Sequence, residues 1–388
     1  MSWLRVVIFL ALVSAILFGM HYYLWLRLVR DTGIGGPWHA MLSAGLVLLG
    51  VTMLAAIPLM RFAPRRFTSP TMWVAYTWMG LAFFAAVILG MGDLIKLAAR
   101  LASRASGFDL DRRRHLADWI ATAAAGGAAG LSAWSARNAT VAAVKTMRVR
   151  VALTKLPQSI SGYRIAQITD LHVGPTIGRA YVHDIVQRVN ALEPNLVAIT
   201  GDLVDGSVEQ LGPLVESIAQ LKAPDGAFFV TGNHEYFVPG LERWLLFLKE
   251  RGLRVLRNER VPIRGSEGFD LAGIDDLTAK SYGHGHGADL PRALAGRDQA
   301  RAIVLLAHQP RQVKDAVTLG VDLQLSGHTH GGQIFPFNLL VRLFEPYLAG
   351  LFKLGDTQLY VSRGTGYWGP PMRLGAPAEI TLIELVSA

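Results

Sequence analysis

Cysteine is absent from all 388 residues. That excludes disulfides, thiolate metal sites and cysteine nucleophiles, and leaves the compartment open, because a chain without thiols suits either redox environment. Charge is also scarce, at 17% against 51% hydrophobic residues, which is too apolar for a disordered chain or an ordinary soluble enzyme. Part of the chain is therefore expected in lipid. The second half lacks a basic excess. Residues 1–150 carry 16 Lys/Arg and 5 Asp/Glu, a net of +11, and residues 151–388 carry 22 and 24, a net of −2. Basic residues that flank apolar spans are what membrane orientation requires, so no nucleic-acid partner is expected; a basic stripe in the second half would have argued for one.

Long apolar runs are present where the positive charge lies. Val6 to Leu26, Trp38 to Met60 and Met72 to Ile95 each reach the about 20 residues that a bilayer-crossing helix needs. They are expected as three transmembrane helices, residues 6–26, 38–60 and 72–95. Leu116 to Trp134, rich in Ala and Gly and containing Asp118, is a weaker fourth candidate (116–134), with a surface linker as its other reading. His21 and Asp93 lie near span ends, where they can reach the interface, and so suit anchoring better than an ion path. An N-terminus outside the membrane places Arg27, Arg30, Lys96, Arg100, Arg104, Arg112, Arg113 and Arg114 inside, against Arg5, Arg61, Arg65 and Arg66 outside. If the fourth segment crosses, the second half is external or periplasmic at a bacterial inner membrane, which is the expectation adopted. If it does not, that half is cytoplasmic. The run Arg112-Arg113-Arg114 also resembles a twin-arginine export signal, though it is internal and lacks the usual bulky residue after the arginines.

From Val151 onward, short apolar runs alternate with amphipathic stretches, the texture of an α/β domain. Domain boundaries are expected at 1–140 for the membrane region and 150–388 for the second domain. Strands are expected at Arg164 to Thr169, Asn195 to Thr200, Ala227 to Thr231, Ala302 to Ala307, Leu323 to Leu325, Gln358 to Ser362 and Glu379 to Val386. Helices are expected at Arg179 to Leu192, Val208 to Leu221, Leu241 to Arg251 and Pro310 to Leu319. The patch Gly283-His284-Gly285-His286-Gly287 reads as a loop rather than a metal site.

Five polar clusters each follow a strand-like run, where open α/β sheets present ligands. They are Asp170-Leu171-His172, Gly201-Asp202-Leu203-Val204-Asp205, Gly232-Asn233-His234-Glu235, His308, and Gly327-His328-Thr329-His330. Singly each has a bland explanation, such as a turn or a structural histidine. Together they do not, since five of the eight histidines in this half sit at strand ends beside Asp, Asn or Gly. The glycines at 201, 232 and 327 are expected to let backbone approach an ion or phosphate closely. Asp, His and an amide oxygen without thiolate suit Mn, Fe, Co, Ni or Zn rather than Ca or Mg alone. The ligands are too many for one ion. Two divalent ions sharing a carboxylate would polarise a phosphoryl oxygen and lower the pKa of a bridging water, and the resulting hydroxide would attack a phosphate ester.

The order Asp-x-His, Gly-Asp-x-x-Asp, Gly-Asn-His-Glu, lone His, Gly-His-Thr-His over residues 164–330 resembles the calcineurin-like metallophosphoesterase superfamily. The ending Gly364-Thr365-Gly366-Tyr367-Trp368-Gly369-Pro370-Pro371-Met372-Arg373, followed by Glu379-Ile380-Thr381, resembles its bacterial membrane-anchored branch. The resemblance implies an α/β/β/α sandwich of two mixed sheets flanked by helices, preceded here by the transmembrane helical region. It implies that Asp170, His172 and His330 hold one ion, that Asn233, His308 and His328 hold the other, and that Asp202 bridges them. His234 would stabilise the transition state or protonate the leaving oxygen, and Asp205 would orient ligands. Arg373 could contact a phosphate, and packing of the C-terminal strand explains it equally well. Glu235 and Gln333 are given no role.

These features make a membrane-anchored, dinuclear metal-dependent phosphoesterase acting on phosphate mono- or diesters the leading expectation, with a lipid-linked substrate one option. A UDP-diacylglucosamine-type lipid pyrophosphatase would need the catalytic half in the cytoplasm. A membrane receptor or transporter with a metal-sensing domain is disfavoured, because the three clear helices carry few intramembrane polar groups.

Overall fold

The computed structural model describes residues 3–63, 65–106, 113–283 and 285–388. Two compact units divide the chain near Ala136. The first is helical: Trp3–Trp25, continued by a π-helical turn Leu26–Arg30, then Gly36–Phe62, Arg65–Ser106 and Arg113–Asn138. Among the described residues, three stretches are long and apolar enough to cross a membrane: Ala11–Arg30, Gly36–Ala56 and Arg65–Ala98. Their outward faces carry Phe18, Val47, Leu48 and Leu94, the arrangement expected when the surrounding solvent is hydrocarbon. The two polar groups singled out in this region are partnered. His21 Nε2 accepts from the Trp78 indole at 2.9 Å, and Asp93 accepts from Tyr23 at 2.7 Å and pairs with Arg27 at 3.0 Å. The helix over Arg113–Asn138 includes the fourth candidate segment; Arg112 of the basic run lies outside the described residues.

The second unit contains twelve strands among the described residues: β1 (Lys145–Leu153), β2 (Tyr163–Ile168), β3 (Leu196–Thr200), β4 (Ala227–Val230), β5 (Leu253–Val255), β6 (Glu259–Ile263), β7 (Phe269–Gly273), β8 (Ile303–Leu306), β9 (Leu323–Ser326), β10 (Gly350–Leu354), β11 (Thr357–Val361) and β12 (Glu379–Ser387). One sheet has the order β1-β12-β2-β3-β4-β5 and the other β10-β11-β9-β8-β7-β6. The inner strands run parallel, with Ile165 opposite Leu196, Val197 opposite Ala227 and Val304 opposite Leu323. Antiparallel pairs join β12 to β2, β10 to β11 and β6 to β7. Both sheets are therefore mixed, as expected.

Three apolar layers hold the second unit together. Ile165, Ala198, Phe228, Leu271, Val304 and Leu325 meet between the sheets. The outer face of the first sheet buries Ile168, Val197 and Ile199 against Val182, Ile185, Leu211 and Trp244, from helices Arg179–Asn190, Val208–Val215 and Leu241–Glu250. The second sheet covers Ile303 and Leu305 with Leu290, Ala293 and Ala316. Strands buried on both faces read as continuous apolar runs, which explains why Leu196–Thr200 and Ile303–Leu306 were legible. Five of these strands were not anticipated: β7 is buried but short and interrupted by Asp270 and Gly273, β6 is partly exposed, and the other three lack a continuous apolar run. β1 interleaves Lys145, Arg148 and Arg150 with apolar residues at a sheet edge, β5 has three residues, and β10 is half-exposed.

Candidate metal centre

Parallel inner strands point their carboxyl ends the same way, so the polar clusters that follow β2, β3, β4, β8 and β9 converge. Two contacts tie the sheets there: Gln167 donates to Ser326 O at 3.0 Å, and His308 Nδ1 lies 2.8 Å from Thr200 O. The backbone turns into the left-handed region after β2, β3 and β9. Asp170, His172, Asp202, His328 and His330 have φ of 53°, 50°, 51°, 72° and 51°, in the left-handed region that costs a residue with a Cβ about 1 kcal/mol or more. These five account for most of the nine non-glycine residues with positive φ among those described, so the strain is concentrated at the centre. The glycines serve the same closure. A Cβ on Gly201 would lie 2.6 Å from Gly232 N and 2.7 Å from His308 Nδ1, and one on Gly232 or Gly327 would strike the carboxylate of Asp202 or Asp170. They let the loops that carry the candidate ligands press against one another.

The first donor set gathers Asp170, His172 and His330. His172 Nδ1 lies 3.0 Å from Asp205 Oδ1, a carboxylate that can only accept, so this nitrogen carries the proton and Nε2 keeps its lone pair. That Nε2 lies 3.0 Å from His330 Nε2, which is itself 3.5 Å from Asp170 Oδ1. The second set gathers Asn233, His308 and His328. His308 Nδ1 donates to the Thr200 carbonyl, which frees Nε2. Its neighbours are Asn233 Oδ1 at 3.2 Å, Asp202 Oδ2 at 3.2 Å and His328 Nδ1 at 3.3 Å. Asp202 Oδ2 is also 3.8 Å from His172 Nε2. One carboxylate oxygen thus faces both sets.

Lone pairs packed this closely require a cation or a proton between them. Burial works against charging His308, yet the adjacent Asp202 carboxylate holds its pKa well above the usual histidine range. Burial likewise opposes ionising Asp202, but His308, His234 and His172 hold its carboxyl well below the usual range. His328 and His330 are pushed down, first by burial and then by their histidine neighbours, and a neutral imidazole is the form that binds metal. The donor set therefore fits divalent transition ions.

Asp205 and His234 sit beside the first set. Asp205 Oδ1 accepts from His234 Nδ1 at 2.7 Å as well as from His172, and so aligns both rings. Burial disfavours the charged form of His234, but Asp202, Asp205 and Glu235 outweigh it and raise its pKa to about 9. The rings of Phe237 and Trp368, both half-exposed, lie 5.2 Å and 5.8 Å from the His234 ring. The Trp368 backbone N–H donates to Gln333 Oε1 at 3.0 Å, and Gln333 Nε2 donates to Trp368 O at 2.9 Å.

Glu235, given no role from sequence, is buried and accepts three backbone N–H groups, from Asp202 at 3.0 Å, Leu203 at 2.8 Å and Gly232 at 2.7 Å. It ties the β3 and β4 loops together. Burial and the Asp202 charge raise its pKa to about 7. The sequence signals only that an acid directly after Asn233 and His234 in an apolar setting needs partners, not which ones. Arg373 differs from the expectation of a phosphate contact. It is 1% exposed and donates to the carbonyls of Gly366, Ala376 and His330, with Nη2 3.2 Å from His330 Nδ1. With its donors spent on protein acceptors and its side chain sealed from solvent, it positions the ligand loop around His330. The packing reading applies.

An Asp, Asn and His donor set delivered from five strand ends of two facing sheets defines an α/β protein with a histidine–carboxylate metal centre. Residues 163–332 match the family described as calcineurin-like phosphoesterase. A Bos taurus protein named "Transmembrane protein with metallophosphoesterase domain" is 38% identical over 366 residues, 90% of this chain and 81% of its own length. A Danio rerio protein of the same name is 41% identical over 252 residues, 63% of this chain and 58% of its own length. A Helicobacter pylori protein named "Uncharacterized metallophosphoesterase" is 41% identical over 244 residues, 62% of this chain and 64% of its own length. This chain belongs to the calcineurin-like phosphoesterase family. It spans less than two thirds of the length of the zebrafish and Helicobacter relatives.

Proposed function

We propose that this protein is a membrane-anchored, metal-dependent phosphoesterase that hydrolyses phosphate mono- or diesters, with two divalent ions held by Asp170, His172 and His330 and by Asn233, His308 and His328, and with Asp202 shared between them. The observation that carries this reading is the placement of Asp202 Oδ2 at 3.8 Å from His172 Nε2 and 3.2 Å from His308 Nε2. Divalent ions bound there would supply Lewis acidity toward a phosphoryl group and bring the pKa of a water near neutrality. The chain's own residues do the rest. Asp205 fixes the His234 ring through Nδ1, which leaves Nε2 as the proton-bearing edge that can serve the leaving oxygen. Phe237 and Trp368 form walls on that side, against which the leaving group packs. Glu235 and Arg373 keep the ligand loops in register.

The three apolar helices make the protein integral to a membrane in this reading, with its catalytic domain on the external or periplasmic face. The excess of Lys and Arg between alternate spans supports an N-terminus outside, which brings the chain inside after the three apolar spans, so external placement requires a fourth crossing. That crossing is assigned in this reading to the 26-residue helix Arg113–Asn138, which at about 39 Å has the length to cross but is less apolar than the three spans before it. The test of chemistry is hydrolysis of bis(p-nitrophenyl) phosphate and p-nitrophenyl phosphate by the detergent-solubilised full chain with Mn added. Metal-dependent turnover that is lost in Asp202→Asn and His234→Ala is expected; absence of both turnover and bound metal after reconstitution overturns the reading. The test of orientation is a periplasmic alkaline phosphatase fusion after residue 140. High activity there supports external placement, and activity only from a cytoplasmic reporter refutes it.

A further inference from the structure

Five residues beyond His330 the second unit turns an apolar surface outward. In the helix Phe337–Phe344 no residue is buried. Leu339, Leu340, Leu343 and Phe344 are 54%, 51%, 76% and 66% exposed, with Phe335 at 49% just before them. Positions 339 and 343, and 340 and 344, are four apart and share one face. The helix is nevertheless held firmly to the catalytic domain. Its start packs on Gly332, where a Cβ would meet Asn338. Its end is gripped by Arg311, which donates to Phe344 O and to Glu345 Oε2, the latter at 3.1 Å. A fixed helix that presents leucine and phenylalanine to solvent is a surface built to meet something.

We infer that Phe335, Leu339, Leu340, Leu343 and Phe344 dock onto the surface of the bilayer that holds the chain's own helices, and that the phosphoester substrate is carried by a membrane lipid. This rests on the phosphoesterase reading for its substrate, and on the geometry alone for its docking. Three features select lipid over protein as the occupant. The face exposes roughly a few hundred Å², at or below the about 500 Å² per partner of the smallest stable protein interfaces. The spans tether the domain to a bilayer, so that a weak contact forms at high effective concentration. The composition is that of an interfacial helix, Leu and Phe on one face with Arg342 beside them, and the only acid in the segment from 335 to 353, Glu345, is already neutralised by Arg311. Arg342 and Lys353 then leave the surface positive, which suits anionic headgroups. The docked helix begins seven residues after the ligand His330 and is linked through Gln333 to Trp368 on the His234 side. A lipid headgroup at this surface lies close to the centre.

The absence of cysteine makes the test clean. The full chain carrying Leu343→Cys, labelled with an environment-sensitive fluorophore, is reconstituted in equimolar phosphatidylcholine–phosphatidylglycerol vesicles, with Glu250→Cys as a control on the same domain. Quenching of the label at 343 by lipid-borne quenchers, with none at 250, is the expected result. A water-like, unquenched label at 343 overturns the docking, and so does a label shielded only as protein density rises, which would assign the face to a second copy. In parallel, Leu343→Asp combined with Phe344→Asp should lower turnover of a vesicle-resident phospholipid phosphodiester by roughly tenfold and leave bis(p-nitrophenyl) phosphate turnover unchanged. An equal fall on both probes, or no fall on either, overturns the substrate inference. Lipid quenching at 343 in the labelled variant, with a wild type that binds no metal and hydrolyses neither probe, keeps the docking and rejects the phosphoesterase reading.

Discussion

The helical unit and the α/β unit use hydrophobicity in opposite directions. In the first, large apolar side chains such as Phe18, Val47, Leu48 and Leu94 face outward, and the few polar groups pair among themselves near Asp93. In the second, apolar side chains such as Ile165, Phe229 and Leu305 are sealed inside, and charged groups such as Asp170, Asp202, Glu235 and His308 are buried with them. The difference shows where each region's free energy is concentrated. Outward leucines gain from hydrocarbon and depend little on their neighbours, whereas a buried carboxylate persists only while every partner is in place.

The comparison breaks most severely at Asp202. Its replacement by Asn removes the charge that both donor sets share, and turnover of bis(p-nitrophenyl) phosphate by the full chain should fall about a thousandfold, or ~4 kcal/mol. Bound metal measured by elemental analysis should fall with it; retention of both would show that Asp202 is not shared. Next is Glu235→Ala, which strands three buried N–H groups at about 1 kcal/mol each, so thermal unfolding should report a loss of about 3 kcal/mol. Glu235→Gln should recover part of this through its amide oxygen.

A smaller effect is expected from pH in metal-stripped protein. The pKa of His234 is about 9 in the folded chain against an unperturbed value of about 6.5. Its charge therefore contributes stability that is fully present below about pH 6.5 and lost as pH rises through about 9. The stability gap between wild type and His234→Ala should narrow over that window, and a gap that widens would contradict the assigned carboxylate partners. The smallest effect belongs to the helical unit. Leu48→Ala, on an outward face, should change unfolding in bilayers by less than about 0.5 kcal/mol, and a larger loss would show that this face packs on protein.

Legibility followed the same division. The three apolar stretches were visible because a hydrophobic run is a property of adjacent residues, and no tertiary partner is needed to read it. Strands β2, β3, β4, β8 and β9 and their polar ends were visible because strands buried on both faces are largely apolar and stop at the candidate ligands. β1 was not, since Lys145, Arg148 and Arg150 mask its pairing with β12 across more than two hundred residues of chain. The role of Glu235 was hidden for a related reason, because the N–H groups that donate to it lie on loops that only the pairing of β3 with β4 brings together. Arg373 was read toward substrate, where chemistry alone would place a guanidinium. Its burial against Gly366, Ala376 and His330 depends on the packing of the C-terminal segment.

Composition and order along the chain determined that an apolar helical region precedes an α/β domain, and that Asp, Asn and His stand at strand ends as candidate ligands. Both are local properties, written in hydrophobic runs and in the residue that follows each one. Tertiary structure alone decided which lone pairs face each other, that one oxygen of Asp202 meets both donor sets, and that Phe337–Phe344 turns its leucines outward. Those outcomes depend on the strand order in two sheets and on left-handed turns after β2, β3 and β9, and no local pattern encodes the distance between residues that far apart in sequence.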